Sequence, residues 1–126
     1  MRGTLNDQSL IYLQIAAMVE DDILRGVYGE EEQVPSTNDL ARAYNINPAT
    51  AAKGISLLAA EGVLYKRRGI GMFVAPGAAG RVRQKRQAAF AETYVRPLVR
   101  EGRSLGLGRA ELMRMVEDAI REGESK

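Results

Sequence analysis

The side chains with the clearest chemical character are cations gathered in one part of the chain. Residues 62–91 hold seven Lys or Arg and no Asp or Glu, although the 126-residue chain has a formal net charge of only +2. The first 61 residues are acidic by contrast, with four Lys or Arg against nine Asp or Glu. Like charges on one face of a protein create a field that attracts polyanions. The distribution therefore indicates either an anionic partner or a solvated basic surface.

The chain contains neither histidine nor cysteine. Histidine is the commonest metal ligand and general acid or base, and cysteine supplies thiolate ligands, nucleophiles and disulfides. We therefore expect no metal, no cofactor and no enzyme active site. A small enzyme that uses the carboxylates of Asp21, Asp22 or Glu30–Glu32 is an alternative. These residues lack a partner base or a cofactor-binding loop in the sequence, and surface solubility explains them more simply.

The composition is that of one globular protein. With 45% hydrophobic and 27% charged residues, the chain suits one compact domain with an appendage rather than two full domains. Met1–Gln8 lacks a basic segment followed by an apolar run, and no stretch approaches the roughly 18 apolar residues that span a bilayer. We expect a cytoplasmic protein with no membrane partner.

The first predicted helix covers residues 9–26, where Ile11 begins a series of apolar residues at four-residue spacing. A turn or short extended segment is expected next. A second, shorter helix is predicted over 37–44, because Ser36 and Asp39 have the spacing of a capping box.

A third helix is predicted over 48–61, only a few residues after the second. Asn47 is a suitable N-cap, and Pro48 fits the first helical position, where its missing amide hydrogen costs nothing. Two helices joined by so short a turn form a helix-turn-helix arrangement.

A basic hairpin is predicted directly after the third helix. Residues 63–65 and 72–74 have the composition of strands, and residues 66–71 that of a cationic, glycine-containing turn. Proline, glycine and alanine then indicate a linker at 76–80. The predicted domains are accordingly a winged domain over 1–75, the linker, and a tail over 81–126.

Two amphipathic helices are predicted in the tail, over 81–102 and 109–122, with Pro97 expected to kink the first or loosen its last turn. A two-helix unit of this size is marginal alone, so we expect its apolar stripes to pair with a second copy of the chain. The residues assigned to this dimer interface are Ala91, Val95, Leu98, Leu112, Val116, Ala119 and Ile120.

The order of these elements is typical of a winged helix-turn-helix. The predicted fold is therefore mostly helical, with a small β-hairpin and a two-helix C-terminal dimerisation tail. In a winged helix-turn-helix the third helix lies in the DNA major groove, and the hairpin, or wing, contacts an adjacent groove or the backbone. The sequence thus predicts double-stranded DNA as a partner. A winged helix that binds another protein is the alternative, but an apolar wing would then be expected.

Five segments, in this order, resemble the N-terminal DNA-binding domain of the GntR family of bacterial regulators. They are Ile11–Ile15, Val34–Ala41, Ile46–Thr50, Glu61–Leu64 and Arg67–Val74. The resemblance covers about residues 9 to 75. The remaining tail resembles the short two-helix tail of the YtrA-type branch, which implies a dimerisation device.

Individual roles can be assigned on this framework. Asn47 and Thr50 lie at the start of the predicted third helix, where side chains and backbone amides reach phosphates or base edges. Asn47 acts only as the helix cap in the alternative interpretation. Lys53 is predicted to reach a phosphate or guanine O6 and N7, the alternative being a solvated lysine.

Arginine suits a narrow minor groove, and glycine permits close backbone approach. The predicted wing contacts are Lys66, Arg67, Arg68 and Gly69.

One position departs from the resemblance. Most GntR members carry a DNA-contacting arginine where this chain has Asn38, which keeps a hydrogen-bond donor for a phosphate but no charge. The basic run from Arg81 through Arg83 and Lys85 to Arg86 is a candidate substitute. Its alternative interpretation, which we favour, is the solvated face of the first tail helix.

Together these features predict a homodimeric, sequence-specific transcriptional repressor. Since a two-fold dimer presents two recognition helices on one face, its operator should be an inverted repeat. A small-molecule effector is a further hypothesis, based on the family and on an apolar crevice expected between the tail helices and the DNA-binding part.

Overall fold

The computed structural model of the chain describes residues 8–124. Two compact units are present, the first ending at Lys85 and the second beginning at Arg86. Residues 1–7, on which the expectation of no leader segment depends, lie outside the described residues. None of the helices within 8–124 combines the length and apolar character needed to cross a membrane.

The first unit begins with three helices, α1 (Gln8–Leu24), α2 (Thr37–Tyr44) and α3 (Pro48–Ala60). These bounds lie within two residues of those predicted. The capping box is formed, since the Ser36 hydroxyl accepts from the Asp39 amide at 3.0 Å and the Asp39 carboxylate accepts from the Ser36 amide. Both α1 and α2 pack against α3.

The turn between α2 and α3 is short because Asn45 adopts a left-handed conformation, with φ of 54°. Asparagine tolerates this region better than most residues, and here its N–H donates to the carbonyl of Ala41. The chain then reaches the α3 cap at Asn47 after a single intervening residue. The predicted helix-turn-helix is confirmed.

The wing is a two-stranded antiparallel hairpin of β1 (Leu64–Arg67) and β2 (Gly71–Val74). Its turn is tighter than predicted, because Lys66 and Arg67 belong to β1 and only residues 68–70 remain in the turn. The Ile70 amide donates to the Arg67 carbonyl at 3.0 Å. Gly69, with φ of 77°, supplies the positive φ that the third residue of a type II turn requires.

The segment 31–34 runs beside β2 as an irregular third strand. The Glu31 amide donates to the Val74 carbonyl at 2.8 Å, and the Val34 amide donates to the Met72 carbonyl at 3.0 Å. This is the short extended segment expected between α1 and α2, and it joins the wing to the helices.

One apolar core joins the helices of the first unit to the wing. Its buried residues are Ile15, Ala16, Val19, Ile23, Val34, Leu40, Ala41, Ala51, Ile55, Leu58, Val63, Leu64, Val74, Ala78 and Val82. The last two belong to α4 (Ala78–Phe90) and are completely buried. The linker expected at 76–80 therefore differs from what is observed: the helix starts inside it, because Ala78 and Val82 anchor its first turns in the core.

The described part of the predicted tail, to residue 124, is mostly helical. A π-helical turn (Ala91–Val95) follows α4 directly, and then come α5 (Arg96–Ser104) and α6 (Arg109–Glu124). The Arg96 amide donates to the Ala91 carbonyl, one residue further back than in an α-helix. Pro97 has no amide hydrogen to continue the regular ladder, so the distortion expected near it takes this form.

Close packing of α5 on α6 depends on Gly102. A Cβ atom there would lie 2.7 Å from the Leu112 side chain. The two helices of the second unit therefore approach at a position where any larger residue would force the Leu112 side chain to move.

Candidate nucleic-acid interface

Lys53 is exposed on α3, and its ammonium lies over the Tyr12 ring, 4.4 Å from the ring centroid. This cation–π contact holds the lysine stem against α1 while leaving the side chain accessible. The contact requires α1 and α3 to be close, and Gly54 allows it, since a Cβ there would be 2.8 Å from the Tyr12 carbonyl oxygen. Lys53 was predicted from the sequence, whereas its contact with Tyr12 and the role of Gly54 were not, because a contact between two helices leaves no local pattern in the sequence.

The start of α3 differs in part from the prediction. The Asn47 side-chain oxygen accepts from the Ala49 amide at 2.7 Å, so this oxygen caps the helix, as the alternative interpretation held. Thr50 is only 8% exposed. It shares the buried stripe of α3 with Gly54 and Leu58, at four-residue spacing, and so points into the protein. The prediction that the Thr50 side chain reaches DNA therefore does not hold.

Asn38 lies exposed in the first turn of α2, where it can present its amide to a ligand. Its neighbour Asp39 is acidic: hydrogen bonds from Ser36 and the nearby Arg42 guanidinium, 2.9 Å away, lower the pKa of this carboxyl. The start of α2 therefore offers a neutral donor beside a negative charge. This is a weaker phosphate site than a cation would provide.

The wing carries all four residues of the predicted set, Lys66, Arg67, Arg68 and Gly69, and each is exposed. Arg67 is also paired within the protein, although its side chain is 44% exposed. Its Nη2 lies 2.8 Å from the Tyr65 hydroxyl and 3.1 Å from a Glu31 carboxylate oxygen. Hydrogen bonds to the Tyr65 hydroxyl and to Glu31 raise the pKa of Arg67. The exposed wing cations thus fall into two kinds: Arg67 is paired with a carboxylate of the protein, whereas Lys66 and Arg68 make no ion pair among those found in the described residues.

The acidic run before the wing has a structural function that its solubility interpretation did not foresee. The Glu30 carboxylate accepts from the Gly77 amide at 2.7 Å, and the Glu32 carboxylate accepts from the Gly29 amide. Glu31 binds Tyr65 and Arg67. The sequence does show three consecutive glutamates and a cationic hairpin, which could have suggested that they pair. The bonds of Glu31 to Tyr65 and Arg67 span more than 30 residues, however, so no local pattern indicates them.

The basic run of α4 was interpreted either as a DNA contact or as a solvated helix face, and Lys85 fits neither interpretation. Lys85 hydrogen-bonds to Glu61, at 2.9 Å, and to Glu20, which is buried with 4% exposure. Partial burial alone would lower the pKa of Lys85, but the two carboxylates outweigh it and raise this pKa. Lys85 thus ties α4 to α1 and to the end of α3. Arg81 and Arg83 remain exposed.

The residues assigned to the dimer interface are mostly uncovered in the single chain. Six of the seven are exposed and Leu112 is half-buried. Val95, Leu98 and Val116 are 43%, 44% and 41% exposed. Together with Leu112 they line an apolar groove of about 790 Å³ within the second unit. Two aromatic residues line the same groove and were not predicted from the sequence: Phe90 and Tyr94, whose ring centroids are 5.3 Å apart.

Comparison with known proteins places the first unit. Residues 11–74 match the family model described as "Bacterial regulatory proteins, gntR family". A crystal structure from Bacteroides thetaiotaomicron, described as a transcriptional regulator of the GntR family, superposes with a TM-score of 0.67 and 36% identity, covering 90% of this chain and 98% of that one. A transcriptional regulator from Oenococcus oeni shares the fold, with a TM-score of 0.68 and 24% identity over 87% of this chain and 90% of its own.

An Escherichia coli protein named "Probable fructoselysine utilization operon transcriptional repressor" is 42% identical over 65 residues. The match covers 52% of this chain and 27% of that protein, so the chain spans about a quarter of the length of the curated relatives it matches. The winged helix-turn-helix, the match over residues 11–74 and the Bacteroides structure agree with one another. This chain belongs to the GntR family, whose fold and members are those of transcription regulators rather than enzymes.

Proposed function

We propose that this protein is a DNA-binding transcriptional regulator that places α3 in the major groove and the wing in an adjacent groove. The observation that carries the proposal is the exposure of Lys53 on α3 together with Lys66 and Arg68 on the wing of a winged helix-turn-helix. Cations on the third helix and on the hairpin can contact DNA phosphates and base edges in the grooves. The Asn38 amide, the Asn47 amide group and the Gly69 backbone complete the proposed contacts.

Salt dependence of binding tests this assignment without knowledge of the operator. Each neutralised phosphate contributes about 0.9 to the slope of log affinity against log salt concentration. Lys53→Ala and Arg68→Ala should each lower the slope by about that amount on a fluorescent duplex of mixed sequence. The matched controls Lys53→Arg and Arg68→Lys keep the charge and should keep the slope. A slope that neither alanine variant changes would contradict the assignment.

We also propose that the second unit pairs with a second copy of the chain. The support is the exposed apolar groove around Val95, Leu98 and Val116. A unit of about 40 residues is too small to bury such a groove within itself. The second unit, residues 86–126, carries eight Lys or Arg and seven Asp or Glu, so its net charge of +1 creates little repulsion between two copies. The two-fold pairing would present two α3 helices to an inverted-repeat operator.

Replacing Leu98 by Glu tests the pairing. A charge in the apolar groove should shift the protein from dimer to monomer in sedimentation velocity, since its burial in an interface is unfavourable. Glu122→Lys, a charge change on the exposed end of α6, serves as the control. A Leu98→Glu variant that sediments as the parent protein does would contradict dimerisation through this groove.

Four finer assignments complete the proposal. Repression is supported by the name of the E. coli relative. Placement in the short-tailed YtrA-type branch is supported by the helices α5 and α6. Action in the cytoplasm follows from the proposed DNA partner. A small-molecule effector is proposed from the family alone, and a thermal-shift screen tests it: an effector should raise the melting temperature and change DNA affinity, whereas no such compound in a broad set would count against it.

A further inference from the structure

Glu31 adopts an unusual backbone conformation beside the wing. Its φ is 68°, in the left-handed region that favours glycine and is uncommon for residues with a Cβ atom. The Glu31 amide nevertheless donates to the Val74 carbonyl at 2.8 Å, which fixes this turn against β2. A non-glycine residue persists in such a conformation when the surrounding contacts determine it.

The Glu31 side chain supplies those contacts. Its carboxylate accepts a hydrogen bond from the Tyr65 hydroxyl and one from Arg67 Nη2, the latter at 3.1 Å. Tyr65 and Arg67 are alternate residues of β1, so they project from the same face of the strand. The acidic turn is thereby joined to the cationic strand across 36 residues of sequence.

Arg67 is held on several sides. Its Nε lies 3.1 Å and its Nη2 2.8 Å from the Tyr65 hydroxyl, and its guanidinium carbon lies 4.2 Å from the centroid of the Phe73 ring on β2. The guanidinium therefore stacks across the hairpin while the Glu31 carboxylate compensates its charge. By contrast, neither Lys66 nor Arg68 makes an ion pair among those found in the described residues.

Ion pairing changes what a cation contributes to DNA binding. An unpaired Lys or Arg that neutralises a phosphate releases the condensed counterions of the DNA. An arginine already neutralised by a carboxylate must first lose that partner, and the gain is reduced accordingly. The same residue type can therefore act as a DNA contact or as an internal strut, depending on its partner.

We propose that Glu31 is a positioning residue that holds Arg67 as an internal brace of the wing, so that Lys66 and Arg68, and not Arg67, are the cations the wing offers to phosphate. This inference rests on the proposed function. It revises the sequence-based assignment of Arg67 as a direct contact, and it gives Glu31 a role in setting which wing charges the DNA meets.

The test compares salt slopes on the same mixed-sequence duplex. Arg67→Met keeps an apolar stem over Phe73 and should leave the slope unchanged, whereas Arg68→Ala lowers it by about 0.9. Glu31→Gln removes the neutralising charge and should raise the slope by up to about 0.9, because Arg67 becomes available to a phosphate. The double variant Glu31→Gln/Arg67→Met should return to the parental slope.

Glu32→Gln is the matched control, because it removes the adjacent carboxylate, which binds the Gly29 amide and not Arg67. Its slope should stay at the parental value, which separates release of Arg67 from a general loss of negative charge. Hydrogen exchange of the Ile70 amide, bonded to the Arg67 carbonyl, reports whether the wing turn stays formed in each variant.

The outcomes separate the inference from the function it rests on. A parent protein that does not bind the duplex overturns the proposed function. A parent that binds, with Arg68→Ala lowering the slope, but with Arg67→Met lowering it equally and Glu31→Gln leaving it unchanged, overturns the brace alone. That second pattern would mean that Arg67 leaves Glu31 for a phosphate when DNA binds.

Discussion

Replacing Gly54 by Ala probes the contact that positions Lys53. Gly54 lies where α3 crosses α1, and an added Cβ would be 2.8 Å from the Tyr12 carbonyl oxygen and 3.3 Å from the Ile15 Cβ and Cγ2 atoms. The nearest obstacle is a backbone oxygen inside a helix, which no rotamer change can move. The two helices must therefore separate, and the Lys53 contact with the Tyr12 ring must lengthen.

The net stability change is the balance of two effects. Overpacking a well-packed site costs about 1–3 kcal/mol. Alanine in place of glycine in a helix interior returns up to about 1 kcal/mol. We expect a net loss of up to about 2 kcal/mol, which for a unit of this size lowers the melting temperature by up to roughly 15 °C. The Ala variant should also bind DNA more weakly, because Lys53 is displaced.

Circular dichroism at 222 nm during thermal unfolding measures the effect. Gly80→Ala is the matched control: Gly80 lies in α4, and a Cβ there meets nothing within 4 Å. The control should be more stable than the parent by about 0.5–1 kcal/mol, from helix propensity alone. If Gly54→Ala is as stable as Gly80→Ala, the close approach of α1 and α3 and the positioning of Lys53 derived from it are wrong.

Two further predictions concern charged residues. Because the pKa of Asp39 is lower in the folded protein than its usual 3.8, its carboxylate stabilises the fold above that pH. The stability advantage over Asp39→Asn, measured by urea unfolding, should diminish as the pH falls below 3.8 toward the lowered pKa; an advantage that does not change with pH would contradict this. Lys85→Met removes the ammonium from buried Glu20 and should cost about 1–3 kcal/mol, partly restored by adding Glu20→Gln. Since the pKa of Lys85 is raised, that contribution should be present below pH 10.5 and lost at higher pH.

Local rules accounted for the helix-turn-helix. The Ser36 and Asp39 capping box and the Asn47 cap act within three residues, so their spacing alone located the starts of α2 and α3. Such local rules did not predict correctly which residues of α3 are buried and which are exposed. Thr50 has a polar side chain at a helix start, yet the crossing with α1 turns its stripe inward.

Contacts between residues distant in the sequence account for the differences between the predicted and the observed structure. The segment 76–80 has the composition of a linker, but Ala78 fits the core that α1, α3 and the wing create together, and small residues suit that role as well as they suit a loop. The bonds of Glu31 to Arg67 and of Lys85 to Glu20 span 36 and 65 residues. Their existence depends on the completed fold, which charge counts along the chain do not encode.

Selection of bound sequences from random duplex DNA tests whether two copies of this chain read DNA through α3 and the wing. If they do, the selected DNA should be enriched in an inverted repeat whose half-site centres lie about ten base pairs, or a multiple of that, apart. The enrichment should fall sharply for the Lys53→Ala variant. Recovery of no preferred sequence, or of a single asymmetric site that Lys53→Ala binds equally well, would contradict it.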